Sequence, residues 1–225
     1  MNYVYTDKPI ELAANHVADV LKEHLSNSER VLWLMTGGSG LLISVLASKK
    51  LEGTPNLLNL FVTLTDERFG PVGHKDENWQ QLLDMGFDLP SANLYRPLIG
   101  ENTVSTATKF ADWLDEKLEI TDYSIGLFGL GTDGHTAGIK PHSPAVTASS
   151  LAVSYKGDDF ERVTIGFSVI RQIDEAIIQV SGDNKRKVLR ELIFDSLPLD
   201  TQPAQILKEI PNLTIYSNNP KEEQS

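Results

Sequence analysis

Ile125-Gly126-Leu127-Phe128-Gly129-Leu130-Gly131-Thr132-Asp133-Gly134-His135-Thr136-Ala137 decides how this chain folds. The apolar run Ile125–Leu130 is too short for a helix and carries no polar face, so it reads as a strand buried on both sides in a parallel sheet. A carboxylate and an imidazole two positions apart, Asp133 and His135, follow its end. Open α/β sheets bind ligands beyond the carboxyl ends of their strands. A histidine placed there can be neutral near physiological pH and accept a proton from water. The glycines around it let backbone approach a ligand closely.

The same grammar recurs on either side. Residues 8–26 repeat apolar positions at Ile10, Ala13, Ala14, Val17, Val20, Leu21 and Leu25, which is helical spacing. His16 and His24 fall on that helix and read as surface or core-edge side chains. Val31–Met35 is a strand that breaks into Thr36-Gly37-Gly38-Ser39-Gly40 before a second helical pattern at Leu41, Leu42, Val45 and Leu46. Leu57–Leu64 is the next strand and runs into Asp66-Glu67-Arg68, with a Gly/Pro loop, His74 and a polar helix start near Glu77-Asn78 beyond it. Residues 103–118 are helical, with Phe110, Trp113, Leu114 and Leu118 inward. Val163–Phe167 and Ala176–Val180 are further strands, and a helix begins near Asn184. Leu213–Tyr216 is a candidate last strand, and the polar tail 218–225 is expected to fray. Strands alternating with helices imply an α/β fold: a Rossmann-like, mostly parallel sheet flanked by helices on both faces. No repeat, low-complexity tract or linker divides the 225 residues, so one domain spanning 1–225 is expected.

Bulk properties exclude several functions. Thirty-one acidic against twenty basic residues give a net charge of −11. That disfavours nucleic acid and anionic membranes, both of which call for clustered Lys and Arg. An anionic small molecule can still bind in a local pocket of donors. There is no cysteine, hence no disulfide and no thiolate metal site. The N-terminal stretch Met1–Asp7 lacks a basic start and an apolar segment, and no apolar run approaches the ~20 residues of a membrane span. A cytoplasmic location is expected.

Four segments carry chemistry. The Gly37–Gly40 turn joins strand to helix, where free amides and Ser39 make a phosphate or carboxylate cradle, or merely a tight turn. It lacks the lysine of a Walker A loop. Asp66-Glu67-Arg68 sets three charges at a strand end, which suits a cleft, with Arg68 meeting a carboxylate or an oxyanion, or else a structural ion pair at the rim. Asp133 and His135 suggest acid–base work. Gly129-x-Gly131-x-x-Gly134 has the dinucleotide spacing, but it falls mid-chain and no acidic residue closes a second strand at the right distance, so no dinucleotide cofactor is expected. Lys185, after Gly182, adds an ammonium near a helix start; Arg162, before a strand, reads either way. All four segments follow strands, so a parallel sheet would gather them on one edge.

In this order these motifs resemble the family of 6-phosphogluconolactonases and glucosamine-6-phosphate deaminases. The resemblance rests on Thr36–Gly40, on Asp66-Glu67-Arg68 with Pro71, His74 and Asn78, and on Gly129–Ala137. Arg162-Val163-Thr164, Gly182–Lys185 and Pro203-Ala204 complete it, and it covers about residues 8–216. It implies a sugar-phosphate substrate and, on the lactonase side, hydrolysis of 6-phospho-glucono-lactone without metal or cofactor. His135 would then activate water, supported by Asp133, with Arg68 on the substrate or the oxyanion. Gly37, Gly38, Ser39, Asp66, His74 and Lys185 would bind substrate and phosphate. Two segments depart from the lactonase pattern: Gly138-Ile139-Lys140-Pro141 replaces Ser-Leu-Phe-Pro, and Glu77-Asn78 replaces Ser-Asn. The deaminases carry a glutamate five residues after the motif histidine, where this chain has Lys140. The alternatives are an amino-sugar-phosphate isomerase/deaminase and a non-catalytic sugar-phosphate-binding protein. The expected assembly is a monomer or a small homo-oligomer.

Overall fold

The computed structural model describes residues 1–221. In chain order its elements are β1 (Asn2–Tyr5), α1 (Pro9–Ser26), β2 (Val31–Met35), α2 (Ser39–Lys50), β3 (Leu60–Leu64), β4 (Asp66–Arg68), α3 (Asn78–Asp84), β5 (Asn93–Leu94) and α4 (Thr103–Ile120). There follow β6 (Tyr123–Phe128), α5 (Pro144–Thr147), β7 (Ala152–Lys156), β8 (Glu161–Ile165), α6 (Phe167–Ile170), β9 (Glu175–Val180), α7 (Arg186–Phe194) and β10 (Asn212–Ser217). Seven strands form one sheet in the order β1-β10-β9-β6-β2-β3-β5, every pair parallel.

Burial explains why these segments become strands and helices. Every residue of β2 and of β9 is buried, as central parallel strands require. Helix α1 starts with Pro9, whose fixed φ suits a first turn. It buries the stripe Ala13, Ala14, Val17, Ala18, Leu21 and Leu25, the one-sided pattern of a helix lying on a sheet. Helix α4 is capped by Asn102, whose Oδ1 accepts from the Ser105 amide at 2.9 Å. One apolar core joins the sheet to α1, α2 and α3; the other joins its opposite face to α4, α7 and β8. Helices thus cover both faces.

From β2 the chain winds outward to β3 and β5, and from β6 it winds the other way to β9 and β10. The winding therefore reverses between β2 and β6, and the loops leaving those two strands diverge there. Such a switch point is where doubly wound sheets leave a crevice.

One strand expectation is corrected. The segment expected as a parallel strand at Val163–Phe167 is β8, Glu161–Ile165, in a separate antiparallel sheet ordered β4-β8-β7. Its Ile165 amide donates to Thr65 O at 2.9 Å, so it pairs with the segment leaving β3 rather than with a neighbour in the large sheet. Alternating apolar residues fix a strand but not its partner. The polar tail is tied down at its start: the Gly182 amide donates to Asn218 Oδ1 at 3.4 Å, Asn219 Nδ2 to Gly182 O at 3.1 Å, and Tyr3 OH to Asn219 O at 2.5 Å. The rest of the expected frayed stretch, 222–225, lies outside the described residues.

Candidate active site

A cavity of about 340 Å³ opens at the switch point, lined by residues following β2, β3, β6 and β9. Gly37, Gly38 and Ser39 come from the β2–α2 turn, Asp66 and Arg68 from β4, Gly131 and His135 from the loop after β6, and Lys185 from the turn after β9. The sheet order places those parent strands side by side.

The β2–α2 turn needs glycine at Gly38, whose φ of 61° and ψ of −129° fit no ordinary side chain. No side chain caps α2; the Gly40 and Leu41 amides bond back to Gly37 O and Gly38 O, both at 3.2 Å, which leaves the amides of Gly38 and Ser39 without an acceptor among the described residues.

His135 and Asp133 form a close pair. Nδ1 lies 2.6 Å from Asp133 Oδ1, and the His135 amide donates to the same oxygen at 3.2 Å. With the proton on Nδ1, Nε2 carries the lone pair, and it has no protein partner among the described residues. The bond from His135 holds the Asp133 carboxyl down at about 2, against a smaller opposing effect of burial. Gly131 is the floor under the ring: a Cβ there would stand 2.1 Å from His135 Nδ1 and 2.6 Å from Asp133 Oδ1. The following turn is held open under load. Ala137 has φ 48°, a left-handed conformation unusual for alanine. Three hydroxyls pin it: Thr136 Oγ1 donates to Gly129 O at 2.8 Å, Tyr155 OH to Gly138 O at 2.5 Å, and Thr164 Oγ1 to Ala137 O.

The opposite wall is cationic. Arg68 and Arg162 are directly paired across β4 and β8, and like charges in that position repel. Arg162 is held by Asp159 through bonds of 2.6 and 2.9 Å. That pairing keeps Asp159 far below the usual carboxylate range. Arg68 has no carboxylate partner among the described residues; its guanidinium lies 4.8 Å from the Phe160 ring centre. Lys185 donates Nζ to Leu130 O, and burial lowers its pKa, with Asp133 pulling the other way. Asp66 is pushed up by burial, partly offset by the charges of His135, Arg162 and Arg68. The cavity therefore offers cations, free amides and a base within one rim, which fits an anionic ligand better than a neutral one.

Gly37, Gly38, Ser39, Asp66, Arg68, His135 and Lys185 all reach this cavity, and Asp133 backs the histidine. His74 is the exception. It does not line the cavity; its Nε2 lies 3.1 Å from Arg68 O, so it braces the loop behind the arginine. Lys140, the departure from both subfamily patterns, is also outside: its Nζ pairs with Asp159 at 3.2 Å. Glu77, the other departure, is fully buried and grips Arg96 with two bonds of 2.6 and 2.7 Å. Sequence reasoning left Arg162 undecided; it lines the cavity because β8 folds back beside β4. Asn78 lines it too, although residue type alone gave no signal for it.

An α/β sheet with a cationic pocket and a histidine–carboxylate pair at its switch point defines the class: an open α/β protein with a crevice site suited to a small anion. The particular family follows from comparison. A model of the family described as "Glucosamine-6-phosphate isomerases/6-phosphogluconolactonase" matches residues 6–215, and the chain belongs to that family. A 6-phosphogluconolactonase of Chlamydia pneumoniae is 25% identical over 140 residues, covering 60% of this chain and 54% of that relative, so the chain matches about half of its length. Among solved structures, 6-phosphogluconolactonase from Thermotoga maritima superposes with a TM-score of 0.82 at 17% identity, covering 96% of this chain and 98% of the other. A monomeric glucosamine-6-phosphate deaminase reaches a TM-score of 0.79, also at 17% identity, over 96% and 97% of the two chains. Likeness at this identity speaks for the fold.

Proposed function

We propose that this chain hydrolyses 6-phospho-glucono-1,5-lactone to 6-phosphogluconate, acting as a single α/β domain in the cytoplasm without a resident metal or cofactor. The observation that carries the reading is the His135–Asp133 pair, at 2.6 Å with Nε2 unengaged, in a cavity rich in anion donors. The phosphate rests on the Gly37–Ser39 turn and Lys185, and that remote binding energy orients the lactone carbonyl. Nε2 of His135 takes a proton from water as the water oxygen attacks C1. Asp133 keeps the proton on Nδ1 and stabilises the imidazolium that forms, and a base of this kind typically gives ~10²–10⁴-fold. Arg68 faces the oxyanion as charge develops. The C1–ring-oxygen bond then breaks and the imidazolium returns its proton to that oxygen.

The deaminase reading is disfavoured by Lys140. The position at which the deaminases carry a glutamate here holds an ammonium tied to Asp159, away from His135. The test is a stopped-flow record of fresh 6-phosphogluconolactone decay with the spontaneous rate subtracted. An enzyme-dependent rate is expected. No acceleration, or ammonia release from glucosamine 6-phosphate, overturns the proposal.

A further inference from the structure

Glu67 is a fully buried carboxyl that the hydrolytic steps do not use. Burial pushes it up to about 8, against the opposing pull of backbone amides. Its Oε1 accepts from the Arg68 amide and the Asn78 amide, both at 2.7 Å, and its Oε2 accepts from the Trp79 amide at 2.9 Å. In either protonation state both oxygens keep lone pairs for these donors. One side chain thus binds the end of β4 to the first turn of α3, across a loop of nine intervening residues, 69–77.

Both segments that it joins feed the cavity. Arg68 is a cavity cation without a carboxylate partner among the described residues; its Nη1 donates to Asp76 O at 3.4 Å. Asn78 is 2% exposed; its Nδ2 donates to Asp66 O at 3.1 Å, and its Oδ1 has no partner among the described residues. That side chain is packed beneath the phosphate turn, since a Cβ on Gly37 would stand 2.5 Å from Asn78 Oδ1. A continuous chain of contacts therefore runs from Glu67 through Asn78 to Gly37, and from Glu67 directly to Arg68. Glu77, held by Arg96, braces the same loop: its Oε2 also accepts from the Gly73 amide at 2.5 Å.

We propose that Glu67 is a positioning residue for substrate binding: by tying Arg68 to Asn78 it sets the spacing between the arginine and the Gly37–Ser39 turn. This rests on the lactonase reading only for the identity of the ligand. Loss of the tie misplaces the phosphate turn, which binds ground state and transition state alike, and Arg68, which meets the oxyanion, so KM rises and kcat falls with it.

The experiment compares Glu67→Gln, Glu67→Ala and Asn78→Ala with the wild type by lactone turnover, by calorimetric binding of inorganic phosphate, and by thermal melting. Glu67→Ala is expected to raise KM, and the phosphate Kd with it, about tenfold or more, a modest share of what misplacement can cost. kcat should fall as well, because Arg68 meets the oxyanion only in the transition state, while the phosphate Kd reports the binding part alone. Glu67→Gln, which keeps one acceptor oxygen, should show a smaller rise. Combining Glu67→Gln with Asn78→Ala should add little beyond the larger single effect, because both cut one linkage. A purely structural role would lower the melting temperature while leaving KM and phosphate affinity unchanged in the folded protein, and that result overturns the proposal. So does additivity in the double variant, or a wild type that binds no phosphate. Should Glu67→Ala fail to fold, Glu67→Gln and Asn78→Ala decide the matter alone. A wild type that binds phosphate but leaves the lactone untouched overturns the activity reading, while the phosphate affinities still judge Glu67.

Discussion

Two of the four histidine–carboxylate pairs among the described residues sit at opposite ends of the same sheet. His135 and Asp133 follow β6 at its carboxyl edge, 2.6 Å apart. His16, on α1, meets Glu175, at the first residue of β9, through Nε2 at 2.8 Å. The distances are nearly equal and the consequences are not. Tyr216 OH sits 3.0 Å from the other nitrogen of His16, and Tyr123 OH donates to Glu175 at 2.8 Å. Burial alone would raise Glu175; the bonds from His16 and Tyr123 outweigh it and hold that carboxyl low. Both ring nitrogens of His16 are occupied, so the pair is a structural tie between helix and strand. His135 keeps one nitrogen free toward a pocket of amides and cations. A histidine beside a carboxylate thus becomes a candidate base through its free nitrogen and its edge of the sheet, not through the pair itself.

The contrast can be broken most sharply by deletion. His135→Ala should lower kcat by about 10²–10⁴ while KM changes little, the range expected for loss of a general base. His16→Ala should leave both constants within about twofold and instead lower stability by about 1–3 kcal/mol, the usual cost of stranding a buried polar partner. Equal losses of kcat in the two variants would abolish the distinction. Next in size, Lys185→Ala should raise KM by about 10–100-fold with kcat largely kept, since bonds to charged groups are worth about 1.5–3 kcal/mol; an unchanged KM would put the phosphate elsewhere. Gly131→Ala tests geometry without touching a functional group. Its new Cβ would collide with the His135 ring, and a displaced base should cost about tenfold or more in kcat.

The smallest effects are those of pH on stability. Asp133 and Glu175 are both held below their ordinary pKa in the folded state. Each therefore stabilises the fold above its unfolded value, about 3.9 for Asp and 4.3 for Glu, and that stabilisation fades as pH falls through the lower folded value. The melting temperature should drop below about pH 4.5. Glu175→Gln should flatten that drop more than Asp133→Asn, because Glu175 is 11% exposed and Asp133 46%, and solvent screens the latter. The reverse order would show that the active-site pair is the stiffer of the two.

Periodicity made the large sheet readable. The buried runs at Val31–Met35 and Ala176–Val180 and the stripe on 8–26 each state their own environment, and the structure keeps them within a residue or two. The edge strand β1 and the hairpin strand β7 gave no such signal. β1 is four residues with only its middle pair partly buried, and β7 alternates weakly. Their strand character comes from a partner, β10 or β8, that lies far away in sequence or is itself ambiguous. The site divides in the same way. Asp133, His135 and the Gly37–Ser39 turn were legible together, because each follows a strand and a parallel sheet gathers such strand ends on one edge. His74 carried the same kind of motif yet points behind Arg68, since the direction of a loop side chain is set by what packs on it.

The chain's own order of residues determined the layered architecture, the absence of thiol chemistry and the edge on which reactive groups gather, because burial and chain reversal are local demands that each segment writes into its composition. Only the tertiary structure decided that Arg162 would stand opposite Arg68, that Glu67 would reach the start of α3, and which of two histidines would keep a free nitrogen. Those facts depend on which distant strands pair and which side chains they bring into contact. Contacts between segments far apart along the chain leave no periodic mark in either one.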